Sequence, residues 1–335
     1  MIKIENLVKM YGDIKAVDNI SFEVNEGEIV GFLGPNGAGK STTMNMITGY
    51  LSSTSGKAMI DGIDILEQPL EAKKRIGFLP EQPPLYLDMT VEEYLNFIYD
   101  LKGCTLNRRK HIMEICEVVR ITEVYRRIIR NLSKGYRQRV GIAQALVGNP
   151  KVIIFDEPTV GLDPKQIVEI RNLIRTLGRN HTVILSTHIL PEVSAVCERI
   201  VVINKGKLIA NEKTEDIARV VDGYRRLNVK IVGPKEKVLA ALKGTQGIVY
   251  AEWLGQREAD SNAYLVESEP GVDIRLPLFY TLTKEGFPMI GEESMGTNLE
   301  DVFLALLDKN DERKKKKEII TNAGKTTIID RTGNK

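Results

Sequence analysis

The residues of this sequence with the clearest chemical meaning lie in one glycine-rich stretch. Residues 34–42 read GPNGAGKST and directly follow the apolar run IVGFL. The spacing G-x-x-x-x-G-K-[ST] is typical of loops whose backbone N–H groups surround a β-phosphate. Its lysine would neutralise phosphate oxygens, and its serine hydroxyl is a ligand type that Mg²⁺ accepts. The stretch predicts a nucleoside triphosphate site formed by Gly34, Pro35, Asn36, Gly37, Ala38, Gly39, Lys40, Ser41 and Thr42.

A pair of acidic residues ends a second buried strand. The run Val152–Phe155 is followed by Asp156 and Glu157, 116 residues after Lys40. Asp156 would reach Mg²⁺ directly or through water, and Glu157 would polarise the water that attacks a γ-phosphate. An acidic pair at a strand end is more often structural than catalytic. Its position after the glycine-rich loop, with helices between the two, favours the catalytic interpretation.

Composition and charge narrow the class of protein. The 335 residues are 42% hydrophobic and 27% charged, as in ordinary globular proteins. No apolar run approaches the length of a membrane span, and the first residues lack the core of a signal peptide. Three scattered cysteines fit a reducing cytosol. From Lys309 onward the formal charge is +5 and before it −3, which argues against bulk nucleic-acid binding.

The elements that must position these residues are visible in the periodicity. Buried strands separated by helices predict a largely parallel sheet covered on both faces. Residues 83–148 change to a helical pattern, in which Thr90 and Glu93 form a capping box and a second helix spans 108–120. A further helix is predicted after Asp163, with Pro164 at its first position. The predicted strands are 2–4, 20–24, 29–33, 57–60, 152–155, 183–186 and 200–203.

A second unit is predicted from residue 224. Strands at 226–232, 247–254, 262–267 and 287–292 alternate with helices at 235–243 and 273–285, and a last helix covers 298–308. The first six elements have the split βαββαβ order of a ferredoxin-like α+β domain. The predicted domains are therefore 1–220, with its helical part at 83–148, and 224–309. The basic remainder, 310–335, is predicted to be disordered, and contact of Lys314–Lys317 with anionic lipid is the alternative.

Further motifs make residues 2–220 resemble the ATP-binding-cassette family. LSKGYRQR, from Leu132, resembles the family signature, which implies that Ser133 and Gly135 contact the γ-phosphate held by the opposite subunit. Ser133 is also a good N-cap, and the two roles are compatible. Gln82, in LPEQP, resembles the glutamine that contacts Mg²⁺ and the attacking water. His188, in Ser-Thr-His, resembles the switch histidine that contacts the γ-phosphate.

Two more positions complete the resemblance. Val160–Asp163 resembles the D-loop, which crosses the dimer interface and adds Asp163 to the nucleotide site, and Tyr11 resembles the aromatic residue that stacks on adenine. The generic signature has glycine and glutamine where this chain has Lys134 and Tyr136. That variant, with the stretch NLEDVFL from residue 298, resembles the stand-alone ATPases of type-2 exporters. The implied fold is a P-loop NTPase cassette, a mixed and mainly parallel core sheet with an antiparallel β-subdomain and a helical subdomain.

The resemblance implies an ATP-hydrolysing transporter subunit. It implies ATP and Mg²⁺ as ligands, a head-to-tail dimer of two copies, and separate membrane permease subunits bound at the cytoplasmic face, with no nucleic-acid partner. The permease would bind near Gln82 and residues 83–91. A soluble cassette acting on ribosomes or DNA is the alternative. The single cassette and the 92 residues between Lys40 and Leu132 disfavour it, and Glu157 with His188 disfavours a regulator that does not hydrolyse ATP.

Overall fold

The apolar runs on either side of the glycine-rich loop fold as strands. The computed structural model describes residues 1–214, 226–258, 261–269 and 272–295, and the chain divides into two compact units, Met1–Thr214 and Glu215–Lys335. The strands of the first unit are β1 (Ile2–Tyr11), β2 (Ile14–Val24), β3 (Ile29–Leu33), β4 (Ser55–Ile60), β5 (Ile63–Asp64), β6 (Ile76–Leu79), β7 (Val152–Asp156), β8 (Thr182–Thr187), β9 (Arg199–Asn204) and β10 (Lys207–Lys213). Its α-helices are α1 (Lys40–Ile47), α2 (Pro69–Lys74), α3 (Val91–Leu101), α4 (Arg108–Val118), α5 (Lys134–Leu146), α6 (Pro164–Leu177) and α7 (Leu190–Val196).

Six strands form the sheet that carries the predicted chemistry. Their order is β10-β9-β3-β8-β7-β6, with β10 antiparallel to β9 and the other neighbours parallel. In this register Leu33 pairs with Thr187, and Asp156 pairs with Ser186. The carboxyl ends of β3, β7 and β8 therefore meet at one edge of the sheet, where ligands bind in open parallel sheets. The predicted mainly parallel sheet is confirmed.

An antiparallel sheet of order β2-β1-β4-β5 shares a core with the central sheet. Its side chains pack with those of α1 and the inner strands, and the rings of Phe22 and Phe32 lie 5.5 Å apart across the junction. The strands predicted at 2–4 and 20–24 are longer than expected because their register shifts at Leu7 and Lys9 let pairing continue past irregular positions. Because β3 and α1 both contribute side chains to this core, the core holds in place the two elements that flank the glycine-rich loop.

Helices fill the segment between β6 and β7. The capping box of α3 is confirmed, since Glu93 donates its N–H to Thr90 Oγ1 at 3.2 Å and accepts the Thr90 N–H at 2.8 Å. Asn107 caps α4, and Ser133 caps α5. No strand was predicted at β6, which has four residues and contains Gly77. A Cβ at Gly77 would lie 2.2 Å from the carbonyl oxygen of Ala145, so glycine lets the end of α5 pack there.

The second unit contains β11 (Arg226–Val232), α8 (Lys235–Gly244), β12 (Ile248–Glu258), β13 (Ser261–Ser268), α9 (Arg275–Glu285) and β14 (Met289–Met295). The sheet order is β12-β13-β11-β14, and all neighbouring strands are antiparallel. Leu227, Val229 and Ile231 on alternate positions of β11 pack in one core with Val238 and Leu278 of the two helices. This is the predicted ferredoxin-like arrangement.

Some expectations fall outside the described residues. They are the helix at 298–308, the tail at 310–335 and the boundary region 215–225. Among the helices that the structure describes, none is long and apolar enough to cross a membrane.

One cluster of charged residues, around Asp61, leads to a prediction about the free energy of unfolding. Asp61, in the turn after β4, accepts hydrogen bonds from the amino group of Met1 and from Arg75, both at 2.9 Å, and its other cation, Lys151, lies at 3.1 Å. Burial opposes the charge of Asp61, but these three groups outweigh it and lower its pKa to about 2. A carboxyl whose pKa falls on folding stabilises the folded state above its ordinary pKa, and the contribution disappears as the pH approaches the folded value.

Asp61→Asn should therefore lower the free energy of unfolding of the first unit by about 2 kcal/mol at pH 7. The difference between wild type and variant should shrink as the pH falls from 4 towards 2. Urea unfolding at several pH values measures it. Glu71→Gln is the matched control, because that carboxylate is exposed and pairs with Lys74 at the surface. A difference that persists unchanged at the lowest pH would show that the charge of Asp61 is not responsible.

Candidate functional site

The glycine-rich loop joins β3 to α1 through backbone conformations that favour glycine. Gly37 and Gly39 have φ of 76° and 106°, in the left-handed region that β-carbons disfavour. A Cβ at Gly39 would lie 2.6 Å from the Ala16 carbonyl oxygen, and one at Gly34 would lie 2.4 Å from that of Ile203. The loop is therefore packed against β2 and β9 on one side. Its N–H groups and the first turn of α1 form the opposite, open side.

Lys40 is the buried cation of the site. Its side chain is 6% exposed, and its ammonium donates to the carbonyl oxygens of Gly34 at 2.9 Å and Pro35 at 3.3 Å. The same nitrogen lies 3.4 Å from Glu157 Oε1. The ammonium thus lies between the loop and the end of β7, where it faces the groups expected to meet a γ-phosphate.

The acidic pair ends β7 beside this cation. Asp156 Oδ1 accepts a hydrogen bond from Ser186 Oγ at 2.7 Å. Burial raises the pKa of Asp156, and the hydroxyls of Ser186 and Ser41 partly offset that effect. Glu157 has a φ of 49°, in the left-handed region, and donates its N–H to the Ser186 carbonyl at 2.8 Å. The carboxylates of Asp156 and Glu157 therefore have different surroundings although the residues are adjacent in sequence.

His188 meets Glu157 from the end of β8. Its Nδ1 lies 2.9 Å and 3.0 Å from the two carboxylate oxygens, and Thr187 Oγ1 lies 3.2 Å from Oε2. The imidazole is 40% exposed while the carboxylate is 7% exposed. Glu157 is therefore held by a lysine, a histidine and a hydroxyl, and the histidine edge remains open to a ligand.

These residues border a cavity of about 410 Å³, named here the phosphate cavity. Eight predicted residues lie together around it: Asn36, Gly37, Gly39, Lys40, Ser41, Thr42, Glu157 and His188. Asp156 is buried behind it, and Gly34 and Pro35 face Lys40. Ala16, Glu81 and Val160 also border the cavity and had not been predicted. Glu81 lies within LPEQP and Val160 begins the D-loop stretch, so both motifs were usable signals, whereas nothing in the sequence marks Ala16.

Other predicted residues lie away from the phosphate cavity. Gln82 lies between two grooves and borders both. The first, of about 560 Å³, is also lined by Phe78 and Lys102 and is named here the adjoining groove, because it adjoins the second, which is also lined by Lys134. Tyr11 is half exposed at the end of β1, with the Lys9 ammonium 5.4 Å from its ring centre. The roles predicted for both side chains stay predictions.

The signature stretch and the D-loop lie against each other. Ser133 caps α5 by accepting the Tyr136 N–H at 3.4 Å, and Asp163 caps α6 by accepting the Gln166 N–H at 3.0 Å. A Cβ at Gly135 would lie 2.7 Å from the Gln166 amide group, so the start of α5 touches the start of α6. None of the three predicted residues in these two stretches borders the phosphate cavity of its own chain.

Comparison with known proteins agrees with this geometry. Residues 17–160 match the family described as ABC transporter. An uncharacterized ABC transporter ATP-binding protein of Bacillus subtilis, YxlF, is 34% identical over 310 residues, which cover 92% of this chain and 99% of that protein. The chain belongs to the ABC transporter family. It is an ATP-binding subunit that hydrolyses ATP to drive transport, which confirms the transporter interpretation of its sequence.

Two further members of the ABC transporter family extend the comparison. The lipopolysaccharide export system ATP-binding protein LptB of Haemophilus influenzae is 38% identical over 218 residues, 65% of this chain and 90% of that protein. A dimeric structure of the ATP-binding cassette MJ0796, in a post-hydrolysis state with ADP and Pi, superposes with a TM-score of 0.59 at 32% identity. That match covers 64% of this chain and 99% of the other.

Proposed function

We propose that this chain is the ATPase subunit of an exporter, and that two copies drive separate integral-membrane permease subunits from the cytoplasmic face of the membrane. The observation that carries the catalytic part is the contact of Glu157 with both Lys40 and His188 beside the glycine-rich loop. The export direction is supported by the signature variant LSKGYRQR and by the relative named for lipopolysaccharide export.

In the proposed reaction, a water oxygen attacks the γ-phosphorus of ATP. The bond from that phosphorus to the β,γ-bridging oxygen breaks, leaving ADP and inorganic phosphate. Glu157 orients the water and accepts its proton, while Lys40 balances charge that develops on the phosphate oxygens. The open edge of the His188 ring would contact the γ-phosphate, and the Nδ1 contact with Glu157 links that phosphate to the base.

Ser41, Gln82 and Asp156 are the residues that we propose to hold Mg²⁺. The Ser41 hydroxyl and the Asp156 carboxylate are hard oxygen donors, and they lie close enough for Ser41 to lower the pKa of Asp156. Gln82 borders the adjoining groove and joins this set on the family resemblance alone. Within the described ranges no three His, Cys, Asp or Glu side chains form a metal cluster. Bound here, Mg²⁺ would offset negative charge on the β- and γ-phosphates.

The nucleotide site is proposed to be shared between two copies of the chain. Ser133, Gly135 and Asp163 lie outside the phosphate cavity of their own chain, and the similar MJ0796 cassette is dimeric. In a head-to-tail dimer the start of α5 from one copy, where Ser133 is exposed and Gly135 is buried, would cover the γ-phosphate held by the other. Tyr11 would contact the adenine. ATP would then bridge both copies and favour the closed dimer, and hydrolysis would remove that preference.

Ser133→Asp separates the capping role of this residue from its proposed ligand role. Aspartate is as good an N-cap as serine, so α5 should keep its stability. Its negative charge would repel the γ-phosphate of the partner copy. We expect ATP-dependent dimerisation to weaken by at least about tenfold, measured by analytical ultracentrifugation with ATP and Mg²⁺. Ser133→Ala, the uncharged control, should weaken it less. Unchanged dimerisation of the aspartate variant would contradict a shared site.

The adjoining groove is the proposed contact for the membrane subunits. It is lined mainly by apolar groups, including Phe78, Pro80 and Pro84, and its Tyr50 is 82% exposed. Gln82 also borders this groove, so a partner bound there would contact the segment between β6 and α3. A helix of a membrane subunit that presents apolar side chains would fill it.

Co-purification from detergent-solubilised membranes tests this contact. The full-length chain should be recovered with a multi-span membrane protein, and Tyr50→Asp should lose that partner while it still binds ATP. Tyr280→Asp changes another exposed tyrosine, on α9, and should keep the partner. Recovery with ribosomes instead of a membrane protein would favour the alternative function. Domain boundaries at 220 and 224 and a regulatory or dimer-stabilising second unit complete the proposal.

A further inference from the structure

A second carboxylate lies buried behind the proposed base. Glu192, in the first turn of α7, is 1% exposed and does not border the phosphate cavity. The reaction described above gives it no role. A buried carboxylate needs hydrogen-bond donors, because leaving it unpaired costs more than the bonds themselves contribute. The donors that Glu192 uses connect two parts of the site.

The first donor is a hydroxyl shared with the base. Thr187 Oγ1 lies 3.2 Å from Glu157 Oε2 and 3.3 Å from Glu192 Oε2. The same oxygen accepts the N–H of Ile189 at 3.2 Å. A threonine hydroxyl has a single hydrogen, so it donates to one of the two carboxylates at a time. If one of these carboxylates accepts more hydrogen bonds from other donors, the Thr187 hydrogen is left for the other carboxylate.

The second donor is the residue directly before the D-loop. Thr159 is 3% exposed and donates its hydroxyl to Glu192 Oε1 at 2.6 Å. Its carbonyl accepts the N–H of Leu162 at 3.1 Å, which ties it to the stretch Val160–Asp163. Movement of that stretch would carry Thr159 with it. Glu192 would then lose its short hydrogen bond and compete for the Thr187 hydrogen.

We infer that Glu192 is a positioning residue that couples the D-loop to the orientation of the Glu157 carboxylate. The inference rests on the proposed role of Glu157 as the base. With Thr159 bound to Glu192, the Thr187 hydrogen goes to Glu157 and fixes its carboxylate. With Thr159 withdrawn, Thr187 turns to Glu192 and the base loses one of its constraints. A change at the dimer interface thereby reaches the base through two hydroxyls.

The test is a suppressor pair in the full-length chain. Thr159→Val removes the donor, so kcat for ATP hydrolysis should fall about tenfold while KM for ATP stays within about twofold. Glu192→Gln alone should keep kcat within about threefold, because its amide can donate to Thr187 and return that hydrogen to Glu157. The double variant should therefore recover kcat to the level of Glu192→Gln. A purely structural role predicts a double variant at least as slow as Thr159→Val.

Controls keep the outcome interpretable. Thr182→Val makes the same change at a buried threonine at the opposite end of β8 and should alter the melting temperature without altering kcat. Thr159→Ala replaces Thr159→Val if the valine variant does not fold. An unchanged kcat in Thr159→Val, or no recovery in the double variant, would overturn the inference. Glu157→Gln is assayed in parallel, since wild-type hydrolysis by that variant would overturn the proposed base instead.

Discussion

Glu157→Gln should lower kcat for ATP hydrolysis by roughly two to four orders of magnitude, the usual contribution of a general base. Glutamine has nearly the same shape and keeps hydrogen bonds to His188 and Thr187, but it does not take a proton from water. ATP binding should persist, because Lys40 and the loop are intact. Phosphate release measures the rate, and size-exclusion chromatography should show an ATP-bound dimer that no longer dissociates.

A matched variant separates catalysis from stability. Glu28 is also a partly buried carboxylate with a cationic partner, Arg199, at 2.6 Å, and it lies at the opposite end of β3 from the glycine-rich loop. Glu28→Gln should lower the melting temperature and keep kcat per folded molecule. If Glu157→Gln hydrolysed ATP at the wild-type rate, Glu157 would not be the base.

Lys40→Ala should weaken ATP binding about a hundredfold or more. The substitution removes a buried ammonium that would bind phosphate oxygens, and hydrogen bonds to charged groups contribute about 1.5–3 kcal/mol each, with tenfold in affinity for every 1.4 kcal/mol. It also leaves Glu157 without its lysine partner and so adds repulsion of the phosphate. Isothermal titration with a non-hydrolysable ATP analogue measures the affinity.

Lys15→Ala is the control for that measurement. Lys15 is half exposed on β2 and pairs with Asp18 at 3.0 Å, so its removal takes away one positive charge outside the cavity. Affinity within about twofold of wild type is expected because a surface charge is screened by salt. Equal losses in the two lysine variants would mean that net charge, and not the position of Lys40, determines binding.

Much of the site was predictable because its chemistry is local in sequence. The glycines of the loop, Lys40 and Ser41 lie within eight residues, and apolar runs before the loop and before Asp156 indicated the strands that carry them. Parallel strands place their carboxyl ends at one edge, so the meeting of Lys40 with Glu157 followed from topology. The six elements of the second unit were likewise predicted from the sequence.

Contacts that depend on how individual side chains and loops pack were not predictable. Ala16 borders the phosphate cavity because β2 passes beside Gly39, and no motif records that approach. The bridge from Thr159 through Glu192 to Thr187 depends on how α7 packs after β8, and each residue alone resembles an ordinary polar position. Gln82 was predicted from its motif. The motif did not indicate which grooves this side chain borders, because that depends on how the surrounding side chains pack.

The central claim, that two copies share each ATP site, is tested most directly by mixing two inactive variants. Lys40→Ala keeps an intact signature, and Ser133→Asp keeps an intact loop, so neither homodimer has a complete site. Mixed dimers have one complete site, so a mixture of equal amounts should regain phosphate release that neither variant has alone. Activity that rises clearly above the sum of the separate variants is the expected result. A rate equal to that sum would contradict a site shared between copies.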